Sequence, residues 1–388
     1  MSSHANPNII TDGLAFMYDT GDGKSYKGQP TTNLNTFTLS DSGTDGSGQS
    51  SIGTRTVITN NHVRIVDTAS NTRQTHVITG LTASTTYTVS IMYKKLVGTP
   101  TFRFQIQDYS GSSYLRTIKF TNTSEIGIED KEGWQLASWT FTLGSDANAV
   151  RIWYQDGADY TTYTHSFELQ NPQLEAKSHA TPYVDGTRSA TQGLIDRTGT
   201  STINISNASF DSNAQVTLDG TNDYIDLGSD VSISPDNQGW TTEYWFNTNS
   251  AGTLQHFNSA ENDEFNANWL AIYNSKLAVW NRSPGYWKYG DTIIQSNTWY
   301  QAVFICDSGG TNMRFYINGK AEGGTHVGNS WNATYSSLDV RYIGKYEYNG
   351  GHSRYFNGEI EAVKIYDRAL TSAEVRQNFN ATKDRFGL

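Results

Sequence analysis

Several things are scarce in this 388-residue chain, and each scarcity narrows what it can be. There is one cysteine, Cys306, so no intrachain disulfide framework exists. At the end of Val303-Phe304-Ile305 its thiol is expected to be a buried strand residue and not a nucleophile. Charged residues make up only 17%, the balance is −10, and no basic run occurs, which argues against a nucleic-acid partner. No apolar run approaches bilayer-spanning length, so no membrane insertion is expected. The opening MSSHANPNIITDG has no basic stretch leading into an apolar core, and classical export is not expected. Triplets such as Asn332-Ala333-Thr334 then carry no glycosylation meaning. The eight histidines show neither His-x-His nor His-x-x-x-His spacing, and no Gly-rich loop follows a strand and opens a helix. Transition-metal and nucleotide sites are both unsupported.

What is abundant points one way. Thirty-five glycines, 23 tyrosines and ten tryptophans, against seven prolines, suit many strands joined by turns, and the length allows two or three domains. Tyr87, Val89, Ile91 and Tyr93 alternate onto one strand face, as do Phe102, Phe104 and Ile106; Trp139, Phe141 and Leu143 follow, then Val150, Ile152 and Tyr154. Further strands are expected over 241–247, 269–273 with 277–281, 299–306, 313–317 with 320–322, and 340–344, the fourth group turning at Asn318-Gly319. Residues 40–54, rich in Gly, Ser and Thr, read as loop or weak strand. The closing strand, 356–367, is entered through an Asn357-Gly358 turn. After it, Thr371-Ser372-Ala373-Glu374 is a capping box with Leu370 and Val375 at staple positions, predicting one short helix over about 372–381.

The ending, with Gly358, Glu359, Ile360, Val363, Ile365, Tyr366, Arg368, Leu370, Thr371, Glu374 and Arg385-Phe386-Gly387, resembles the close of concanavalin A-like, laminin-G-like jelly rolls, especially those of tailed-phage structural proteins. The opening around Gly13-Leu14 to Ser25-Tyr26 resembles the start of the same proteins, and its usual continuation stands only at Gly193–Gly199 and Leu218–Gly228. The resemblance therefore implies an all-β chain of two antiparallel sandwiches: 1–32 completing the last domain, 33–187 inserted, and 188–388 forming a laminin-G-like jelly roll with a short C-terminal helix. Within the insert, Gly80–Ser90 and the phrase from Leu169-Gln170-Asn171-Pro172-Gln173-Leu174-Glu175 through Thr181-Pro182-Tyr183 to Arg188 resemble carbohydrate-binding-module-like jelly rolls.

Three groups of side chains bear on function. Three ring-bearing stretches, read as loops, supply glycan candidates: Trp280, Tyr286, Trp287 and Tyr289; Tyr346 and Tyr348; Tyr160 and Tyr163. Sugar C–H faces stack on such rings, which equally serve cores and subunit contacts. Laminin-G-like relatives hold calcium through loop carboxylates, which makes Asp219, Asp223 and Asp226 candidate ligands, although the residues themselves read as a polar turn. No other cofactor is expected. Glu359 and Glu361 share a strand face, yet enzymes of this fold carry a third carboxylate on that strand, where this chain has Ala362 and Val363, so catalysis is not expected. The resemblance implies a non-catalytic virion protein on the surface of a particle assembled in the host cytoplasm: a capsid decoration, fibre or tail appendage that contacts other virion proteins. Self-association, with a trimer among the forms allowed, and affinity for host or environmental polysaccharide accompany that expectation. The alternatives are a free bacterial lectin and, behind it, a glycoside hydrolase.

Overall fold

A computed structural model describes residues 8–35, 39, 54–66, 73–97, 102–111, 113–120, 130, 132–156, 166–211, 215–236, 238–260, 268–281, 286–310, 312–327, 337–348 and 352–388. The stretch 40–53, read above as loop or weak strand, lies outside them. The chain divides into two compact units, one formed by the residues before Thr31 with Ser189–Asp211 and Gln215–Leu388, the other centred on Thr31–Arg188. Both are antiparallel β-sandwiches.

In the first unit one sheet has the order Ser209–Phe210, Val216–Asp219, Asn357–Tyr366, Trp240–Thr248, Trp299–Cys306, Met313–Ile317 and Lys320–Ala321; Leu14–Asp19 also pairs with Asn357–Tyr366. Facing residues come from a three-stranded sheet (Ile225–Ile233, Leu338–Ile343, Asn258–Ser259) and a five-stranded one (Gln255–His256, Asn268–Tyr273, Lys276–Asn281, Tyr286–Tyr289, Thr325–Val327). Period-2 alternation sends Ala302, Phe304 and Cys306 into the shared core, while Val303 and Ile305 point the other way, into a smaller cluster with Tyr316, Tyr366, Leu370 and Val375. That second cluster lies under the helix, Ser372–Thr382. Cys306 is fully buried, and burial, followed by the charge of Asp307, pushes its thiol up to about 12.

The hairpin turns have the residues their geometry demands: Asn318 and Gly319 have φ of 50° and 72°, and Asn274 and Ser275 have 52° and 57°. The segment around Gly193–Gly199 is organised by Asp196, whose carboxylate accepts from the Met17, Thr198, Thr200 and Ser201 N–H groups and so ties the opening strand to residues far along the chain. One expected turn is not a turn. Asn357 and Gly358 are already in the closing strand, opposite Asp219 and Leu218, because glycine at φ 139° lets two backbones approach there.

The capping box forms as read, with Thr371 Oγ1 accepting from the Glu374 N–H and the Glu374 carboxylate accepting from the Thr371 N–H at 2.8 Å. Arg368 donates to both Glu374 oxygens, at 3.1 and 2.7 Å; with the Thr371 N–H behind it, and against a smaller effect of burial, it holds that carboxyl down to about 2 from its ordinary 4.5. A carboxyl depressed by folding stabilises fully above its unfolded value. The contribution of Glu374 is therefore complete above about pH 4.5 and lost as pH falls towards 2. Thr371→Ala should cost about 1 kcal/mol at neutral pH. Glu374→Gln should flatten the acid limb of the stability profile, measured by urea unfolding between those two pH values.

The second unit stacks a five-stranded sheet (Thr54–Thr59, His62–Val66, Ser166–Glu175, Thr86–Val97, Trp134–Thr142) on a four-stranded one (Arg73–Thr79, Ala149–Asp156, Phe102–Ser110, Ser113–Phe120). Val63, Ile65, Val89, Ile91, Phe167 and Leu169 from the first meet Ile78, Ile106, Val150 and Ile152 from the second. The phrase from Gln173 to Arg188 is the unit's clasp. Gln173 accepts from the Val184 N–H at 2.8 Å and donates to the Thr181 carbonyl at 3.1 Å. The buried Glu175 accepts from the Thr181 N–H and from Thr31 Oγ1, while Arg188 donates to Thr181 Oγ1 and the Pro182 carbonyl. Thr31–Thr32 pairs with Thr187–Arg188, so the unit's first and last residues lie side by side.

Candidate functional site

On the five-stranded sheet of the first unit, Leu270, Ile272, Leu277 and Val279 face the core, so the alternate residues face outward. Trp280 stands opposite Trp287, and Ala278 opposite both Ala271 and Tyr289. Tyr273 and Trp287 lie diagonally across Ala278, and their rings meet over it at 4.8 Å between centroids. Trp280 joins Trp287 at 5.2 Å, and Tyr289 stacks at 6.1 Å from both Trp287 and Tyr273. Ala278 is fully buried beneath them, while all four rings keep part of their surface in solvent. A larger residue at 278 would hold the rings apart. The result is a platform of four aromatic side chains with Lys276 beside Tyr273 at the hairpin end.

Three candidates from the sequence, Trp280, Trp287 and Tyr289, are thus brought together, on strands and not on a loop. Tyr286 is in the same strand as Trp287, but its side chain is outside the described ones. Tyr273 was missed, although its alternation with the core residues Leu270 and Ile272 marks it as outward-facing. Tyr346 is elsewhere: it is buried and stacks on the fully buried His256 at 4.5 Å, within a segment read as loop that forms the hairpin Lys345–Tyr348 and His352–Tyr355. Burial, and then the charge of Arg354, brings the His256 imidazole down to about 3, so it packs as a neutral ring. Tyr346 serves packing, and the backbone of Tyr348 continues its strand; its side chain is outside the described ones, as are Tyr160 and Tyr163 altogether.

The carboxylate candidates are engaged in structure. Asp219 accepts from the Thr221 and Asn222 N–H groups, at 2.7 and 3.1 Å, and Asp223 accepts from the Asp219 N–H at 3.1 Å, which together build a turn. Asp226 forms an ion pair with Arg341 at 2.5 Å. Among the described residues no three His, Cys, Asp or Glu side chains gather to hold a metal ion. Glu361 pairs with Arg385 at 2.9 Å, and Arg385 also holds Asp19. Burial raises Glu359 and Glu361, in Glu359 with the help of Glu361 and Asp211. Ala362 and Val363, where a third carboxylate would be needed, are buried.

Residues 219–376 match the family described as the concanavalin A-like lectin/glucanases superfamily, laminin G type. No curated protein matches the chain. Among solved structures, the carbohydrate-binding module CBM40 of the Ruminococcus gnavus IT-sialidase, bound to α2,3-sialyllactose, is similar at 13% identity and a TM-score of 0.30, over 39% of this chain and 94% of that one. Domain 4 of AbnA, an extracellular arabinanase of Geobacillus stearothermophilus in complex with arabinotriose, is similar at 21% identity and 0.35, over 49% and 92%. The heptameric pentraxin of Limulus polyphemus is similar at 18% identity and 0.32, over 41% and 78%. The protein is all-β, and its C-terminal jelly roll, closed by one short helix, has the concanavalin A-like, laminin-G-like lectin fold.

Proposed function

We propose that this protein is a non-catalytic carbohydrate-binding protein whose C-terminal lectin-like unit contacts sugar through the platform of Tyr273, Trp280, Trp287 and Tyr289. The observation carrying this reading is the platform itself. Four mutually packed, partly exposed rings lie on one sheet face, held apart from the core by strand alternation. Their packing against one another fixes them before a ligand arrives, which lowers the ordering cost of binding. Apolar C–H faces of a pyranose or furanose ring fit such a surface. The engagement of Glu361 by Arg385 and the apolar residues at 362 and 363 support binding without bond cleavage.

The virion reading rests on sequence resemblance alone, since nothing among the matches indicates a tailed-phage origin, and the free-lectin alternative fits the matched family better. The test is affinity electrophoresis of the full chain in gels containing neutral polysaccharides such as arabinan, xylan and β-glucan. At least one should retard the wild type, and Trp287→Ala should weaken that retention about tenfold, roughly 1.4 kcal/mol. No new reducing ends should appear on incubation. Wild-type retention by a correctly folded Trp287→Ala protein would remove the platform from the reading.

A further inference from the structure

A strand at the edge of a sheet presents unpaired backbone groups to any further strand, and proteins blunt such edges with short strands, charges and irregular register. Among the described residues this chain does so at nearly every edge. The outer strands Ser209–Phe210, Lys320–Ala321, Gln255–His256, Asn258–Ser259 and Thr325–Val327 have only two or three residues. The longer outer strands Thr54–Thr59, Ser113–Phe120 and Ile225–Ile233 combine charged residues with shifts in register, and Arg73–Thr79 starts on a cation. Trp134–Thr142 is the exception. It ends its five-stranded sheet, has no ionisable residue, glycine or proline, and pairs with Thr86–Val97 along all nine residues without a shift. Alternation shows which of its backbone groups are open. Leu143 N–H donates inward to the Thr85 carbonyl at 2.9 Å, whereas Trp134 turns its N–H to Asp130 Oδ1 at 2.9 Å and its carbonyl to the Asp130 N–H at 2.8 Å. The even-numbered residues therefore aim N–H and C=O away from their own sheet, and those of Leu136, Ser138 and Thr140 meet no partner among the described residues. Leu136 is 41% exposed, and Trp139, packed against the core, keeps part of its ring in solvent.

We infer that this edge joins two copies of the chain: Trp134–Thr142 pairs antiparallel with the same strand of a second molecule about a twofold axis at Ser138. The open groups suit that symmetry. An axis at Ser138 sets Ser138 against itself and Leu136 against Thr140, so the outward N–H and C=O of all three residues find partners in both molecules. It also brings Trp139 of each copy beside Ala137 of the other, where a methyl group leaves room for the indole. Charge favours a second copy as the occupant. A strand without ionised side chains can lie against itself with no like-charged pair across the axis. Residues 31–188 hold 12 Lys and Arg against 14 Asp and Glu, so only −2 of the chain's −10 belongs to this unit, and two such units meet without strong repulsion.

Sedimentation equilibrium of the full chain tests this. The wild type should form a reversible dimer with a dissociation constant on the order of 1–10 μM. Ser138→Lys and Ser138→Glu each place like charges opposite one another across the axis, and each should raise that constant at least about tenfold. An equimolar mixture of the two variants should dimerise again, because opposite charges then face each other. Ser138→Pro removes only an outward N–H, a change that edge strands tolerate, and should leave a folded monomer. Circular dichroism and thermal melts establish that each variant is folded. A wild type that stays monomeric at about 100 μM, well above that constant, overturns the inference and leaves the edge to a strand from a different protein. A dimer that persists in the folded Pro and Lys variants overturns it by placing the contact elsewhere, and failure of the mixture to reassociate overturns the twofold pairing. Trp287→Ala should sediment as the wild type does, so this inference and the glycan platform fail separately.

Discussion

Lys364→Met is expected to destabilise the first unit by about 3–5 kcal/mol, among the largest effects available to a single side chain here. Lys364 Nζ is 2.6 Å from Glu243 Oε1, and each side chain is 1% exposed. The same carboxylate oxygen accepts from Trp245 Nε1 at 3.2 Å, and its partner Oε2 accepts from Asn378 Nδ2 at 2.8 Å. Asn378 also donates to Tyr366 Oη at 2.9 Å and accepts from the Ile10 N–H at 2.8 Å, while Tyr366 Oη donates to the Ile10 carbonyl. One buried carboxylate thus joins two sheet strands, the C-terminal helix and the segment before the opening strand. Removing the cation leaves Glu243 charged and without its counter-ion in a dry interior. The penalty comes from that orphaned charge and not from the loss of an attractive contact, so Glu243→Leu with Lys364→Met should recover much of the loss. Thermal unfolding would report it as a fall of roughly 10 °C in the single variant. A loss under 1 kcal/mol would mean that water reaches the pair, and the network would then not be what anchors the helix.

That network also marks where sequence reading stops. The closing strand shows charges interleaved with apolar residues, which reads as one face towards solvent; instead Lys364 is buried, because the helix begun at Thr371 folds back over that face. Local signals were legible: Thr371 with Glu374, Asn318-Gly319 and the alternation in Trp299–Cys306 need only neighbours a few residues away. The platform was half legible. Trp280, Trp287 and Tyr289 stood out by ring content, but Ser283-Pro284-Gly285 between them suggested a loop, and the pairing of Trp280 with Trp287 is a cross-strand fact. Tyr273 enters only through its diagonal relation to Trp287, two strands away. The burial of Tyr346 depends on His256, 90 positions earlier, which no local pattern announces. Ring content alone cannot separate an outward-facing ring platform from a core contact; strand register does.

Gly358→Ala should cost the first unit about 3–5 kcal/mol without removing any contact. Gly358 is at φ 139°, a region that residues with a Cβ rarely enter. A methyl group there would lie 2.1 Å from the Asn247 carbonyl oxygen and 2.9 Å from the Thr248 Cα, both backbone atoms of the adjacent strand. Flexible side chains can swing away from such an overlap, but these atoms cannot move without breaking the ladder in which Gly358 faces Thr248 on one side and Leu218 on the other. Asn357 would be displaced too, and with it the bond its N–H donates to Gln255 Oε1 at 2.8 Å, in a strand that leads directly to the buried His256. Urea unfolding followed by tryptophan fluorescence should show the loss, because Trp240 and Trp245 are both fully buried in this unit. The contrast is Gly252→Ala, where a Cβ meets nothing within 4 Å and stability should stay within about 0.5 kcal/mol of wild type. Equal behaviour of the two variants would mean that the strands part at little cost at position 358, and the close backbone approach would then not be what the closing strand requires of its second residue.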